Sequence, residues 1–283
     1  MVSASLTVAS WNVLAAPWAS PAFYPAEMDP ALLDRVTRRE RVAQGIADLD
    51  ADLVCLQETT PIDLLAVVDA LGPDVAVHAA PNAPELWAGW ATEELPWEAN
   101  GTAVLWRRSR FDAVETGTFA LSADGNVTTT FAARVVGTDV QVRVRSVHLD
   151  VDRPDLRRTQ LRDVLAALGP APTATVIDVV AGDCNEDTDA TDLGAIAAEH
   201  GFVDALTAIG NADPTHPLAR PGDDHAALAR LDHVMVRGAR PVAGRVVDAD
   251  LFAVADAGTR WIEGLRRTGS DHLAVVATVP LPD

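Results

Sequence analysis

The sequence contains no lysine, so its 22 basic residues are all arginine, and 41 acidic residues bring the formal net charge to −19 over 283 residues. A negative field opposes binding to phosphate backbones, and that attraction supplies most non-specific nucleic-acid affinity. This balance excludes a basic nucleic-acid coat protein and disfavours a long duplex as a substrate. The negative charge does not identify a ligand, because genome bias or a salty habitat also explains an acidic, arginine-rich composition.

Cysteine is scarce, and long apolar runs are missing. The two cysteines, Cys55 and Cys184, lie in apolar strand-like runs and cannot form a disulfide framework, which suits a reducing compartment. No run approaches the ~18–20 apolar residues that span a bilayer, and residues 1–20 lack the basic start of a signal peptide. We therefore expect a cytoplasmic protein without a membrane segment.

Linkers, low-complexity tracts and internal repeats are also absent, which favours a single domain over residues 1–283. Apolar runs rich in β-formers predict strands, and apolar residues at helical spacing predict helices. The predicted strands are 6–12, 52–57, 75–78, 101–106, 127–136, 140–149, 175–181, 231–236, 245–247 and 273–279, and the predicted helices are 29–49, 61–71 and 154–168. Strands outnumber helices, so we predict an α/β or α+β class with large mixed sheets.

Six of the apolar runs end on a carboxylate, a carboxamide or an imidazole. These ends are Trp11-Asn12, Gln57-Glu58, Val147-His148, Gly182-Asp183-Cys184-Asn185, Leu231-Asp232-His233 and Ser270-Asp271-His272. Any one of them is ordinary, because Asn, Asp and His often cap or turn a chain. If the strands lie side by side, however, the six ends crowd one pocket, which costs stability unless a cation or substrate compensates. Hard oxygen ligands favour Mg²⁺ or Mn²⁺ over zinc.

The order of these motifs resembles the endonuclease/exonuclease/phosphatase superfamily, which has the DNase-I-like fold. The matching segments are WNVLA (11–15), LQET (56–59), SVHLD (146–150), GDCNED (182–187), RLDHV (230–234) and SDHLAV (270–275). The resemblance implies a four-layer sandwich, in which two packed mixed β-sheets are flanked by helices, with one Mg²⁺-dependent site at the sheet edge. The motifs are most similar to those of deadenylase/nocturnin-type nucleases and tyrosyl-DNA 5′-phosphodiesterases.

The resemblance also implies a metal site. Glu58 of LQE is the implied main Mg²⁺ ligand with Asn12 beside it, and Asp271 is implied at the metal or its water shell. A metal in this position would bind a phosphate oxygen and stabilise the charge that grows in the transition state. Leu14 stands where some abasic-site endonucleases carry Asp, so a second acidic ligand is absent there.

Five further residues have implied catalytic roles. Asp183 would orient or deprotonate the attacking water. Asn185, two residues on along an extended segment, would share its face and donate to a phosphate oxygen. His148 and His272 would hold the other phosphate oxygens, and Asp232 would pair with His272 and favour its charged form. Many family members have Tyr in place of His148, which argues against the abasic-endonuclease branch.

A last group of side chains consists of candidates for substrate contact: Asn100, Trp97, Arg157, Gln160 and His216. Trp97 belongs to a tryptophan-rich stretch, residues 81–100, which either stacks on a base or lipid-like tail or packs onto the body of the protein. Arg157 and Gln160 are about one helical turn apart and can face one direction, although a surface ion pair explains Arg157 equally well. His216 stands where an aromatic residue is frequent in the family.

Three functions remain open at the level of sequence. The first is a Mg²⁺-dependent phosphodiesterase or nuclease that acts on a nucleotide-type or small phosphodiester by direct attack of water. The second is a phosphomonoesterase on a sugar or inositol phosphate, and the third is a non-catalytic binding module on the same fold. We expect a monomer whose substrate is a small molecule or single-stranded nucleic acid, with no membrane and no stable duplex binding.

Overall fold

The computed structural model describes residues 5–20, 24, 28–84, 100–121, 126–170, 174–187, 192–217, 228–254 and 259–282. Its strands are β1 (Ser5–Asn12), β2 (Leu53–Thr59), β3 (Val75–Pro81), β4 (Gly101–Arg107), β5 (Phe111–Ala120), β6 (Val127–Val135), β7 (Gln141–His148), β8 (Val176–Asp183), β9 (Val203–Asp204), β10 (His216–Pro217), β11 (Leu228–Ala229), β12 (Asp232–Arg237), β13 (Ala243–Val246) and β14 (Val275–Pro280). Its α-helices are α1 (Arg35–Asp48), α2 (Pro61–Leu71), α3 (Pro154–Ala166), α4 (Asp192–Glu199), α5 (Ala205–Ala208), α6 (Asp250–Val254) and α7 (Arg260–Thr268).

The strands form two six-stranded mixed sheets and a short ribbon. The first sheet has the order β13-β14-β1-β2-β4-β3, and the second has the order β5-β6-β7-β8-β12-β9. One neighbouring pair in each sheet is parallel, β1 with β2 and β7 with β8, and the other pairs are antiparallel. Strands β10 and β11 pair separately. This architecture confirms the prediction of large mixed sheets.

The two sheets pack face to face because the inward-facing positions of their strands carry apolar side chains. In β7, Val142 and Val144 point into the core between the sheets, while Arg143 and Arg145 point outward. Residues of the first sheet, such as Leu6 and Val275, pack in the same core as these valines. Side chains of this kind bury most of their apolar surface, each worth about 1.5–3 kcal/mol.

Helices cover the outer faces of both sheets and complete the four predicted layers. On the first sheet, Val42 and Ile46 of α1 and Leu64 of α2 pack against Trp11 and Leu56. On the second sheet, apolar residues of α3 and α4 pack against β7, β8 and β12, namely Leu161, Val164, Leu193 and Ile196 against Val147, Val180 and Met235. The four-layer sandwich predicted from the resemblance is therefore confirmed.

Two details of the predicted elements are corrected. The predicted helix 29–49 is a 3-10 helix, Pro30–Leu33, followed by α1. Asp34 breaks the run, because its extended ψ of 119° is not helical and its carboxylate caps α1 by accepting from Thr37 N at 2.8 Å. The prediction also missed β5, an edge strand that is largely exposed on one face, the two-residue strands β9, β10 and β11, and the helices α4 to α7. Within the described residues, no helix is long and apolar enough to cross a bilayer.

Candidate active site

The polar strand ends meet at one edge of the sandwich. Parallel pairing places Asn12 beside Gln57 in the first sheet and His148 beside Asp183 in the second. Antiparallel pairing then places Asp232 opposite Asp183. Close approach of β7 and β8 requires a glycine before Asp183, because a Cβ at Gly182 would lie 1.9 Å from the carbonyl oxygen of Val147.

Asn12 connects the two sheets through its side-chain amide. Its Nδ2 donates to Glu58 Oε1 and to Asp183 Oδ2, both at 3.0 Å, and its Oδ1 accepts from Leu14 N at 3.0 Å. Glu58 Oε2 accepts from Ala15 N at 2.9 Å. Both amide hydrogens of Asn12 are thus used to hold one carboxylate from each sheet.

Glu58 reaches this position because its strand is irregular. The register of β2 against β4 shifts between Leu56 and Thr59, and Glu58 has a left-handed φ of 56°. Such a bulge redirects a side chain that would otherwise follow the regular alternation of the strand. A non-glycine residue held with positive φ costs about 1 kcal/mol or more, and such positions are frequent at functional sites.

Asp183 lies at the centre of the cluster and is almost fully buried. Its Oδ2 is 3.6 Å from His148 Nε2 and 3.7 Å from His272 Nε2, and its Oδ1 accepts from Asn185 N at 2.8 Å. Burial raises the pKa of Asp183, but His272, His148 and the hydrogen bond from Asn12 outweigh burial and hold the pKa below its usual range. The carboxylate is therefore charged at neutral pH.

His272 is held by the second carboxylate of the second sheet. Its Nδ1 lies 2.8 Å from Asp232 Oδ2, and Asp232 is fully buried. Burial disfavours the imidazolium, yet the charges of Asp232 and Asp183 outweigh it and raise the pKa of His272 well above its usual range. His272 is therefore a cation whose Nε2 faces the Asp183 carboxylate.

Asp271 faces a different set of groups. Its Oδ2 lies 3.4 Å from the Tyr24 hydroxyl and 3.9 Å from His216 Nε2, and the rings of His216 and His272 are 4.3 Å apart. Burial raises the pKa of Asp271, but His216 and His272 outweigh it and lower the pKa below its usual range. Its buried Oδ1 has no hydrogen-bond partner in the part of the chain that the structure describes.

The expected geometry of Asn185 is corrected. Asn185 has a left-handed φ of 52°, so the chain turns after Asp183 and does not continue as an extended segment. Its Nδ2 donates to the carbonyl oxygen of Leu149 at 2.9 Å, which joins the loop after β8 to the loop after β7. Asparagine tolerates this conformation better than most residues, which explains its presence at the turn.

The candidates for substrate contact on α3 are corrected as well. Arg157 does not form a surface ion pair; its side chain is buried, its Nε donates to Glu186 Oε2 at 2.8 Å, and its Nη1 donates to the carbonyl oxygens of Asp150 and Val151. Gln160 has no exposed surface, and its Oε1 accepts from Asp150 N at 2.8 Å. Gln160 therefore cannot touch a substrate in this structure, and both residues hold the loop that follows His148.

Two further candidates for substrate contact are Asn100 and Trp97. Asn100 is 6% exposed, and its Oδ1 accepts from Asn82 Nδ2 at 3.2 Å. Trp97 lies outside the described residues. Sequence reasoning missed Tyr24 at Asp271, because a single tyrosine in a loop belongs to no motif and carries no periodic signal.

A buried ion pair lies behind the site. His233 Nδ1 is 3.1 Å from Asp204 Oδ2, and its Nε2 is 3.1 Å from the carbonyl oxygen of Glu186. Burial opposes both charges, but pairing outweighs it: the pKa of Asp204 falls from 3.8 to about 2, and the pKa of His233 is raised. His233 thus links β12 to Asp204 of β9 through one ring nitrogen and to the loop that carries Asn185 through the other.

This pair predicts how stability depends on pH. Asp204 has a depressed folded pKa, so its contribution to the free energy of unfolding, about 2 kcal/mol, is present above 3.8 and is lost as pH falls towards about 2. The folded pKa of His233 is raised above the usual 6.5, so its contribution to stability is fully present below 6.5 and is lost as pH rises past 6.5 through the raised folded pKa. Urea unfolding of wild type and Asp204→Asn from pH 2 to 9 should show a flatter profile in the variant. Parallel profiles would contradict the assignment.

Comparison with known proteins decides the family. The model of the Endonuclease/Exonuclease/phosphatase family matches residues 9–272. The chain belongs to this family. Endonucleases, exonucleases and phosphatases all hydrolyse phosphoesters, so membership places the chain among the phosphoester hydrolases and confirms the resemblance of its motifs. No curated protein sequence matches the chain.

Solved structures with the same fold confirm the architecture of this family member. A functionally unknown protein from Enterococcus faecalis V583 has a TM-score of 0.69 and 18% identity, covering 98% of this chain and 100% of that one. D. rerio TDP2 complexed with single-strand DNA product has a TM-score of 0.65 and 18% identity, covering 97% and 98%. ANGEL2, a 2′,3′-cyclic phosphatase, has a TM-score of 0.69 and 16% identity, covering 99% and 96%.

Proposed function

We propose that this family member is a Mg²⁺-dependent phosphodiesterase that cleaves a nucleotide-type or small phosphodiester by direct attack of water. The observation that carries the proposal is the position of Asp183. Its carboxylate lies between the imidazoles of His148 and His272. Asn12 Nδ2 donates a hydrogen bond both to this carboxylate and to that of Glu58. A base, two donors for phosphate oxygens and a carboxylate for a metal therefore converge on one place.

The donor set fits Mg²⁺, with Mn²⁺ as a substitute. Glu58 and Asp271 offer carboxylates and Asn12 offers an amide oxygen, which are the hard ligands that these ions prefer. Within the described residues, the buried Oδ1 of Asp271 has no hydrogen-bond partner, and a bound cation would satisfy such an oxygen. When bound, the ion supplies charge stabilisation at a phosphate oxygen. These three residues would hold it.

The protein's own groups account for the proton and charge movements. Asp183 is ionised, so its carboxylate accepts a hydrogen bond from the attacking water and receives its proton as the new bond to phosphorus forms. The bond from phosphorus to the ester oxygen breaks in the same step, and the leaving oxygen takes a proton from solvent water. Asp183 then returns its proton to solvent. His272 is protonated and donates from Nε2 to a phosphate oxygen, while Asp232 fixes its Nδ1. His148 contributes the second imidazole. Asn185 contributes its remaining amide hydrogen.

Two structural neighbours and the net charge support the substrate class. D. rerio TDP2 is complexed with single-strand DNA product, and ANGEL2 is a 2′,3′-cyclic phosphatase. The net charge of −19 favours a small or single-stranded substrate over a long duplex. We propose single-stranded nucleic-acid ends or small phosphodiesters as substrates of a monomeric single domain. The charge alone equally favours a phosphorylated sugar or inositol, which remains the second candidate.

The test compares hydrolysis of bis-p-nitrophenyl phosphate, p-nitrophenyl phosphate and short single-stranded oligonucleotides in Mg²⁺, Mn²⁺ and EDTA. Diester or oligonucleotide cleavage that disappears in EDTA supports the phosphodiesterase. Cleavage of the monoester alone supports the metabolite phosphatase. Absence of turnover on all three substrates, together with intact metal binding, would favour a non-catalytic module.

A further inference from the structure

Arg38 of α1 is a buried arginine that donates hydrogen bonds to the backbone of two separate chain segments. It is 4% exposed, its Nε donates to the carbonyl oxygen of Gly269 at 2.8 Å, and its Nη2 donates to the carbonyl oxygens of Val13 and Leu14 at 3.0 and 2.5 Å. A single guanidinium thus holds two chain segments that are more than 250 residues apart in sequence. No motif of the site includes it.

In the part of the chain that the structure describes, the charge of Arg38 has no direct ion-pair partner. Among the described residues, no carboxylate lies within 4.0 Å of its guanidinium. Burial lowers the pKa of Arg38, and Tyr24, Asp271 and Glu58 are among the groups that oppose this effect. Burial of a cation without an ion-pair partner costs stability.

The first segment that Arg38 holds, residues 13–15, positions the Glu58 side chain. Leu14 has a left-handed φ of 54°, which bulky residues rarely adopt. This turn directs Leu14 N to Asn12 Oδ1 and Ala15 N to Glu58 Oε2. The hydrogen bond from Arg38 to the Leu14 carbonyl stabilises the strained turn and hence the position of both side chains.

The second segment, which begins at Gly269, positions Asp271. Gly269 ends α7 with a left-handed φ of 83°, and a Cβ there would lie 2.8 Å from the carbonyl oxygen of Arg38. The next residue, Ser270, donates from Oγ to the carbonyl oxygen of Asn12 at 2.7 Å and accepts from His272 N at 3.2 Å. Arg38 therefore fixes the start of the segment that carries Asp271.

We propose that Arg38 is a positioning residue that sets the relative placement of the metal ligands Glu58, Asn12 and Asp271. The inference rests on the metal site of the proposed function. The planar fork of arginine serves carbonyls on both sides at fixed angles, whereas the ammonium of lysine is a single flexible point charge. Arg38 acts on metal binding through geometry, and its positive charge alone would weaken binding of a cation.

The test measures Mn²⁺ affinity directly, by the electron paramagnetic resonance signal of free Mn²⁺, in folded Arg38→Lys. Groups that orient metal ligands typically contribute about 10–100-fold to metal affinity. We expect the Kd of Arg38→Lys to rise about tenfold, while kcat at saturating Mn²⁺ stays within about threefold of wild type. The matched control is Arg39→Lys on the same helix, where Arg39 pairs with Asp63 at 3.0 Å, and its Kd should equal that of wild type.

A second variant separates geometry from charge. Arg38→Gln removes the cation and should also weaken Mn²⁺ binding; tighter binding would show that only the charge matters and would overturn the inference. Wild-type Kd in Arg38→Lys, or lost kcat at an unchanged Kd, would overturn it too. Absence of Mn²⁺ binding in wild type would overturn the metal site itself, which is a distinct result.

Discussion

Asp183→Asn is expected to lower kcat for a phosphodiester about 1,000-fold, the scale of a lost general base. The amide has the shape of the carboxylate, and its oxygen can still accept from Asn12 or from Asn185 N. It cannot receive the proton of the attacking water. The measurement is steady-state hydrolysis of bis-p-nitrophenyl phosphate at saturating Mg²⁺, with thermal unfolding to verify that the variant is folded.

Two comparisons make the Asp183 result specific. Asp155→Asn removes a fully exposed carboxylate of α3 and should leave kcat unchanged. The Mn²⁺ affinity of Asp183→Asn should stay within about tenfold of wild type, because Asp183 is assigned to the water and not to the metal. Full activity in a clean preparation of Asp183→Asn would refute the assignment of the base.

Glu58→Gln is the second change with a large expected effect. The carboxylate is the main charged ligand of the proposed metal site, so its loss should raise the Kd for Mn²⁺ about 100-fold or more. The glutamine oxygen can accept from either Asn12 Nδ2 or Ala15 N, whereas Glu58 accepts from both. Isothermal titration with Mn²⁺ and activity across metal concentrations measure the effect.

The control for Glu58 is Glu115→Gln, which removes an exposed carboxylate from the edge strand β5. This control should bind Mn²⁺ with wild-type affinity. Undiminished metal-dependent turnover in Glu58→Gln would remove Glu58 from the metal site. A pattern in which Asp183→Asn keeps Mn²⁺ binding and Glu58→Gln loses it assigns the base and the metal ligand to different residues.

The sequence by itself predicts the family, the sandwich and the chemical types at the site. Alternating apolar residues identify strands such as β7, and parallel pairing brings strand ends to the same edge, so His148 and Asp183 meet. The order of six motifs identifies the family that the family model matches over residues 9–272. The strand and helix patterns are local, because each depends on residues that are near one another in the chain, whereas the family follows from the order of motifs along the whole match.

The partners of individual side chains are decided only by tertiary structure. Asn12 meets Glu58 and Asp183 across separations of 46 and 171 residues, and Gln160, predicted to face a substrate, is fully buried. Arg38 likewise reaches Gly269 only because α1 packs beside the end of α7. Local periodicity determines which face of an element is buried, but the packing of two sheets and their helices determines which polar groups then meet.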